Sequence, residues 1–148
     1  MSTDRPDTCE FDRSSLLLRL DITFAAEVSA IGPLVARILR LAKETNCASG
    51  KEFEIESALY EALTNAVIHG CKGDRNKSVQ VTASCDQSKG ILLVVRDPGE
   101  GFDIESIPSP IEGERVFSSH GRGIFLINQL MDRVCYQRGG TEIRMLKR

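Results

Sequence analysis

The order in which strand-like and helical periodicities follow one another limits this chain to few folds. One strand pattern comes first, two helical patterns follow, and two further strand patterns come next. These segments cover residues 16–24, 29–46, 52–69, 79–85 and 91–96. After a long stretch without a clear period, a short helix pattern begins at Gly123 and a closing strand hairpin turns at Gly139-Gly140. Because no strand–helix–strand unit repeats, we predict an α+β fold, a two-layer sandwich with helices on one face of a mixed, mostly antiparallel sheet.

The length and composition are those of one soluble domain. A chain of 148 residues with 41% hydrophobic and 27% charged residues is long enough to bury a core. The first fifteen residues are polar and lack the basic start and apolar stretch of a secretory signal. We predict a flexible N-terminal tail over residues 1–15 and a single domain over residues 16–148. The longest uncharged apolar run, residues 91–95, is too short to cross a bilayer, so we expect a cytoplasmic protein without membrane contact.

Cysteine spacing and charge exclude several classes of protein. The five cysteines are scattered without a C-x-x-C pair, which indicates neither a disulfide framework nor a zinc site, and we expect them to be reduced and mostly buried. The net charge is −2, and no basic stripe is interleaved with aromatic residues. This pattern argues against direct nucleic-acid binding and favours a protein or small-molecule partner.

The helix predicted over residues 52–69 carries polar side chains along the border of its apolar face. Glu61, Asn65 and His69 follow one another at four-residue steps, and Gly70 is a natural helix end. An amide oxygen at Asn65 is a suitable Mg²⁺ ligand, and a carboxylate at Glu61 can orient or deprotonate a nucleophile. A solvated helix edge would explain Glu61 and Asn65 equally well, and a C-terminal helix cap would explain His69.

Residues 97–101 read Asp-Pro-Gly-Glu-Gly and follow an apolar strand. A carboxylate at Asp97 can accept a hydrogen bond from the exocyclic amine of adenine. Gly99 and Gly101 have no Cβ, so their backbone can approach a ring closely or adopt positive φ. On their own, the same residues would also make an ordinary turn at the end of a strand.

Residues 121–123 read Gly-Arg-Gly and precede a predicted helix. Free backbone N–H groups and the positive end of the helix dipole at such a place form a phosphate site. Arg115 and Arg122 can also reach phosphate. The alternatives are a flexible hinge at the glycines and ordinary solvated arginines, and the segment alone does not decide between them.

Three phrases of the sequence resemble one known superfamily. They are Glu61-Ala-Leu-Thr-Asn-Ala-Val-Ile-His-Gly, Asp97-Pro-Gly-Glu-Gly and Gly121-Arg-Gly-Ile-Phe-Leu-Ile, and they are similar to the N, G1 and G2 boxes of the ATPases shared by gyrase, sensor histidine kinases and mismatch-repair proteins. The branch with the strongest resemblance is the small bacterial anti-sigma-factor serine/threonine kinases. The resemblance covers residues 16–147 and implies the histidine-kinase-like ATPase fold.

The resemblance implies ATP and Mg²⁺ as cofactors. In that family, Asn65 would bind the Mg²⁺ ion that bridges the phosphates, and Glu61 would act as the base. Asp97 would accept the hydrogen bond of the adenine amine. The residues expected to contact the nucleotide are Asn65, His69, Asp97, Gly99, Gly101, Arg115, Gly121, Arg122, Gly123 and Thr141.

The glycines and the threonine of this set have separate expected roles in the family. Gly99 and Gly101 would flank the base and the lid, a mobile segment expected over residues 102–119. Gly121 and Gly123 would cradle phosphate, and Thr141 would lie near the adenine.

One departure from the family concerns the lid. Relatives often carry a basic residue just before the last pair of glycines, whereas residues 118–120 read Ser-Ser-His here. Arg122 or Arg115 can substitute for that residue. If neither does so, we expect slow or absent phosphoryl transfer, because this chemistry depends on positioning and charge neutralisation.

The resemblance therefore implies an ATP- and Mg²⁺-dependent protein kinase. It would phosphorylate a serine or threonine of a small anti-sigma-factor antagonist protein and would otherwise bind a sigma factor. A homodimer, with the first strand as a contact, is implied by the resemblance alone. The alternatives are a non-catalytic ATP-binding partner switch and the detached catalytic domain of a histidine kinase. The latter is disfavoured because only His69 and His120 are present and no long helix would display a phosphoacceptor. A P-loop enzyme is excluded by the absence of its motif.

Overall fold

The structure, a computed structural model, describes residues 9–101 and 119–148 of the chain. The strands are β1 (Leu18–Ala25), β2 (Ser78–Asp86), β3 (Gly90–Arg96), β4 (Arg133–Gln137) and β5 (Glu142–Lys147). The helices are α1 (Ile31–Glu44), α2 (Glu52–Asn65) and α3 (Ser119–Leu130). Of the helices in these two ranges, none is long and apolar enough to cross a bilayer.

The strands form one sheet in the order β1-β2-β3-β5-β4. All the neighbouring pairs are antiparallel, with Leu20 opposite Ala83, Val81 opposite Val95, and Leu93 opposite Met145. The predicted α+β sandwich with a mostly antiparallel sheet is confirmed, and the described strands pair without a parallel neighbour.

The main core lies between the sheet and the helices. Side chains recurring every three or four residues on α1 and α2 face the inward side chains of the central strands, as their spacing predicts. The buried residues of these two helices are Ile31, Leu34, Val35, Ile38, Ala42, Ile55, Ala58, Leu59, Ala62 and Leu63. Each large apolar side chain of this kind contributes about 1.5–3 kcal/mol to stability when fully buried. This packing fixes α2, which carries the predicted site residues.

The ends of two helices differ from the sequence-based prediction. A π-helical turn, Ala66–Gly70, continues α2 to the predicted end at Gly70, with a change in hydrogen-bond spacing that the sequence did not indicate. The predicted start of α3 at Gly123 is wrong, because this helix begins at Ser119. Glycine lowers helix propensity by only about 1 kcal/mol, and the packing of α3 against α2 outweighs that loss.

Residues 9–15, predicted to belong to a flexible tail, pack on the face of the sheet opposite the helices. Cys9 is 3% exposed and forms a second apolar cluster with Leu92 and Val94, which point away from the main core. The hydroxyl of Ser15 donates to the Asp86 carboxylate at 2.7 Å. The segment from Cys9 to Ser15 is therefore held by the sheet, while the domain boundary at residue 16 stays a prediction.

The expectation that the cysteines are reduced is wrong for one pair. Cys47, after α1, and Cys85, near the end of β2, form a disulfide bond with their Cα atoms 6.0 Å apart. They are 38 residues apart in the chain, and only the packing of α1 on the sheet brings them together. Spacing along the sequence therefore gave no signal of this bond.

A buried carboxylate lies at the start of β5. Glu142 is 1% exposed and accepts hydrogen bonds from Arg96 on β3 and, at 2.9 Å, from Arg144. Burial alone would raise the pKa of Glu142, but the two arginine hydrogen bonds outweigh that effect and lower it. The ion pairs fix β5 to β3 next to Thr141, where the candidate site begins.

Candidate functional site

A cavity of about 380 Å³ opens between the helices and the sheet, a size common among small-molecule sites. Its walls come from α2, the π-turn, α3 and the strands β3, β4 and β5. Five of the predicted site residues line it, namely Asn65, His69, Asp97, Gly101 and Thr141. Apolar side chains complete the walls, among them Val95, Ile124, Ile127 and Ile143. The cavity thus combines an apolar slot with a few polar groups that can orient a ligand.

Asp97 is positioned by the backbone around it. Its N–H donates to the carbonyl of Thr141 at 3.0 Å, which joins the end of β3 to the start of β5. Its Oδ1 accepts from the N–H of Gly99 at 2.8 Å. Burial raises the pKa of the Asp97 carboxyl, although the Gly99 hydrogen bond partly opposes this rise. The Gly99 N–H uses only one of the acceptor positions of the half-buried carboxylate, so the others can accept a hydrogen bond from the amine of a ligand.

Gly70 and Gly99 pack closely around Asp97, and Gly101 packs on Gly139, so that no side chain would fit at any of the three positions. A Cβ on Gly70 would lie 2.3 Å from the carboxyl carbon of Asp97, and one on Gly99 would lie 2.4 Å from the carbonyl oxygen of Gly70. Gly101 has φ of +78°, and a Cβ there would lie 1.9 Å from the carbonyl oxygen of Gly139. The sequence predicts Gly70 only as the end of a helix. Its contact with Asp97 shows that the position also requires glycine because there is no space for a side chain. The sequence signal for this requirement was the place of Gly70 directly after the predicted site residue His69.

Glu61 and Asn65 meet Gly123 across the α2–α3 contact. A Cβ on Gly123 would lie 2.7 Å from Oε2 of Glu61 and 3.2 Å from Nδ2 of Asn65. Both side chains are half-buried and lie against the backbone of α3. The first and third predicted boxes are therefore adjacent in space, as a shared phosphate site requires.

The earlier start of α3 changes how its glycines can act. The first four N–H groups of a helix have no intrahelical partner, and in α3 these belong to residues 119–122, which include Gly121. The N–H of Gly123 comes one residue later and has an acceptor within the helix. Gly123 therefore contributes to the site by having no side chain beside Glu61. Arg115 and the side chain of Arg122 lie outside the described residues.

Tyr136 and Lys72 also line the cavity and were not predicted. Tyr136 on β4 stands opposite Ile143 of β5, and burial raises its pKa to about 12, although the neighbouring Asn128 side chain opposes this rise. The phenol therefore stays neutral at physiological pH. Lys72 follows the π-turn with φ of +53° and is an exposed residue at the wall of the cavity. It lies in a polar loop, where nothing in the sequence distinguished it from a solvated lysine.

The donor set suits Mg²⁺ only in company with a ligand. Within residues 9–101 and 119–148, no group of three or more His, Cys, Asp and Glu side chains converges to hold a metal. Magnesium, however, is commonly bound by one or two protein oxygens together with substrate phosphates and water. Asn65 lines the cavity beside Gly123 and can provide one such oxygen.

Comparison with known proteins gives relatives over much of the chain. The Serine-protein kinase RsbW of Staphylococcus epidermidis is 35% identical over 99 residues, which are 61% of each chain. The Anti-sigma F factor of Halalkalibacterium halodurans is 36% identical over 84 residues, 55% of this chain and 56% of the relative. The chain thus matches less than two thirds of the length of these relatives.

The fold is also found in a solved structure. The crystal structure of the RsbU and RsbW domains of Rv1364c from Mycobacterium tuberculosis superimposes with a TM-score of 0.64 over 88% of this chain and 32% of that chain, at 19% identity. A family model described as the histidine kinase-like ATPase domain matches residues 24–147. This match includes all three boxes and the cavity between them, and the chain belongs to the histidine kinase-like ATPase domain family.

Proposed function

We propose that this protein is an ATP- and Mg²⁺-dependent serine/threonine protein kinase that acts as an anti-sigma factor in a partner-switching pathway. One observation carries the proposal. Asp97 and Thr141 lie at one cavity with Asn65, and Asn65 and Glu61 both lie against Gly123, in a chain that is 35% identical over 99 residues to a serine-protein kinase. This arrangement provides an acceptor for adenine and a polar wall for phosphates in one place.

The adenine would occupy the apolar part of the cavity. Val95 and Ile143 offer flat apolar contact, and the Asp97 carboxylate accepts from the exocyclic amine. The phosphates would then extend toward Asn65, where the N–H groups at the start of α3 favour negative charge. Lys72 adds a positive charge at the cavity, which supports binding of a polyanion. This charge would partly replace the basic residue that relatives often carry where this chain reads Ser-Ser-His at residues 118–120.

Glu61 is the residue we assign to the acceptor hydroxyl. It is half-buried and lies one helical turn before Asn65, so a serine or threonine hydroxyl that approaches the terminal phosphate would meet its carboxylate. Asn65 would hold Mg²⁺, which when bound supplies neutralisation of the phosphate charge. Gly123 gives both side chains room beside α3.

The proposed partners follow from the names of the relatives. The name of one relative supports a sigma factor as partner, and the name of the other supports a protein that is phosphorylated on serine. On the family resemblance, we propose that the phosphorylated protein is a small anti-sigma-factor antagonist, modified on a serine or threonine. The cytoplasm is the compartment that this role requires. The lid expected over residues 102–119 falls largely outside the described residues, and the homodimer stays a prediction.

A non-catalytic ATP-binding partner switch is the second candidate. The observation that favours it is the absence of a basic residue at positions 118–120. Such a protein would bind ATP through the same cavity but would leave the antagonist unmodified.

Two measurements separate these functions. The first is calorimetric titration of ATP with and without Mg²⁺, and the second is transfer of the labelled γ-phosphoryl group to purified candidate antagonist proteins. We expect Mg²⁺-enhanced binding, together with transfer that Glu61→Gln reduces by about 10²–10⁴-fold. Glu56→Gln is the control, because Glu56 is exposed on the same helix, whereas Glu61 is half-buried against Gly123. Binding without transfer would favour the non-catalytic switch, and absent binding would refute both.

A further inference from the structure

The face of the sheet opposite the nucleotide cavity brings two cysteines together. Cys9 belongs to the N-terminal segment that crosses this face, and Cys135 belongs to the edge strand β4. Their sulfur atoms are 2.7 Å apart, although the residues are separated by 126 positions in the sequence. Two thiols that do not react with each other pack farther apart than this, so the distance singles out the pair.

The surroundings hold Cys9 in place. It is 3% exposed and packs with Leu92 and Val94, while Phe11 and Leu146 cover the same cluster. The guanidinium of Arg144 donates to the Cys9 carbonyl at 3.4 Å. With φ of +49° fixed by these contacts, the Cys9 side chain points at β4.

We propose that Cys9 and Cys135 are a site of reversible oxidation, at which a two-electron oxidant of the peroxide class joins them in a disulfide that fastens the N-terminal segment to β4. The inference is independent of the kinase proposal. It concerns a second pair of cysteines besides Cys47–Cys85.

The chemistry balances with hydrogen peroxide as the oxidant. The thiolate of Cys135 attacks one peroxide oxygen and the O–O bond breaks, so that a sulfenic acid forms and the other oxygen leaves as hydroxide. The hydroxide takes up the proton released when the Cys135 thiol ionised, which gives the first water. The sulfur of Cys9 then attacks the sulfenic sulfur, the S–O bond breaks, and the hydroxyl leaves with the Cys9 proton as a second water. Cys135 is the better first nucleophile, since it is half-buried, whereas burial and the contact with Cys135 raise the pKa of Cys9 to about 12.

The bond would attach the N-terminal segment to a strand that also lines the nucleotide cavity. Cys135 points outward, and its neighbour Tyr136 points inward to line the nucleotide cavity. Oxidation would therefore fix an edge strand that forms one wall of the site. It would also keep Leu92 and Val94 covered by the N-terminal segment.

Counting thiols tests the proposal directly. The full-length protein is treated with a small excess of hydrogen peroxide and denatured in the presence of an alkylating reagent. Mass spectrometry of the undigested protein then counts the alkylated thiols. Of the five cysteines, two disulfides use four, so we expect one alkylated thiol, Cys71, in the wild type. Cys9→Ser and Cys135→Ser should each give two alkylated thiols, and the reduced wild type should give five. Three alkylated thiols in the oxidised wild type would overturn the proposal.

Peptide mapping of the wild type locates the bond without any variant. A tryptic digest under non-reducing conditions should contain residues 1–13 joined to residues 134–138, and a reducing agent should separate the two peptides. A bond from either cysteine to Cys71, or separate peptides beside an intact Cys47–Cys85 link, would refute the assignment.

Discussion

Gly70→Ala is the substitution that most directly tests how the site is built. The added Cβ would lie 2.3 Å from the carboxyl carbon of Asp97 and 2.5 and 2.6 Å from its two oxygens. Comfortable carbon–carbon separation begins near 3.5 Å, so the carboxyl must move by roughly 1 Å. Gly70 is not in the left-handed region, and the substitution therefore acts through this contact and not through backbone strain.

The magnitude follows from what Asp97 would lose. A hydrogen bond that involves a charged group contributes about 1.5–3 kcal/mol, which corresponds to roughly a 10- to 150-fold weaker affinity for ATP. Crowding in a packed region lowers the free energy of unfolding by about 1–3 kcal/mol. For a domain of this size we therefore expect a decrease in melting temperature of about 2–12 °C.

Titration calorimetry for ATP and circular dichroism for thermal unfolding measure the two effects. Gly32→Ala is the matched control, because a Cβ on Gly32 in α1 meets nothing within 4 Å. It should leave ATP affinity unchanged and raise stability by up to about 1 kcal/mol. Combining Gly70→Ala with Asp97→Asn should weaken ATP binding little beyond the stronger single change, since both act on one contact. A folded Gly70→Ala protein that binds ATP with wild-type affinity would refute the claim that ATP binding depends on the position of the Asp97 carboxylate.

The other predictions concern charge at the cavity. Asn65→Ala should abolish the enhancement of ATP binding by Mg²⁺ and the transfer of phosphate together; calorimetry with and without Mg²⁺ checks this, and persisting enhancement would refute the metal assignment. Lys72→Met should weaken ATP binding by about 0.2–1 kcal/mol and leave adenosine binding unchanged, whereas Lys51→Met, at an exposed lysine outside the cavity wall, should change neither. Because burial raises the pKa of Asp97, its protonated form favours folding at low pH, and this contribution is lost as pH rises through the raised pKa. ATP affinity should change oppositely, falling as pH drops through that pKa, and Asp97→Asn should remove the dependence measured by titration across pH.

Hydrophobic spacing was sufficient to predict the layers of the fold. The stripe on α2 and the alternation on β1 are consequences of one buried face. β1 formed within two residues of its predicted bounds, and α2 did so when the π-turn that continues it to Gly70 is included. The start of α3 was missed because Gly121 and Gly123 suggested a break, while packing against α2 permits helix through both. Propensity is a weak guide where a neighbouring helix supplies the stabilisation.

Contacts across the chain account for the remaining differences. The Cys47–Cys85 bond and the packing of Cys9 on the sheet join residues that are far apart in sequence. Lys72 reaches the cavity only because the π-turn ends where β3 meets β5. Each of these features depends on the pairing of the strands, which periodicity along the chain does not contain.

The glycines of the site divide into two physical classes, and the distinction decides how each should be altered. Gly70, Gly99 and Gly123 have ordinary φ, and each is required because another group occupies the place of its Cβ. Gly101 has both a positive φ and a close backbone neighbour, so any L-residue there would have a strained backbone and would also clash with the Gly139 carbonyl. A carbonyl oxygen of the chain cannot retreat as a side chain can, which makes Gly101 the least replaceable of the four. The glycines of the site thus mark positions of close contact, with a side chain at Gly70 and Gly123 and with a backbone carbonyl at Gly99 and Gly101, and these contacts set the shape of the site.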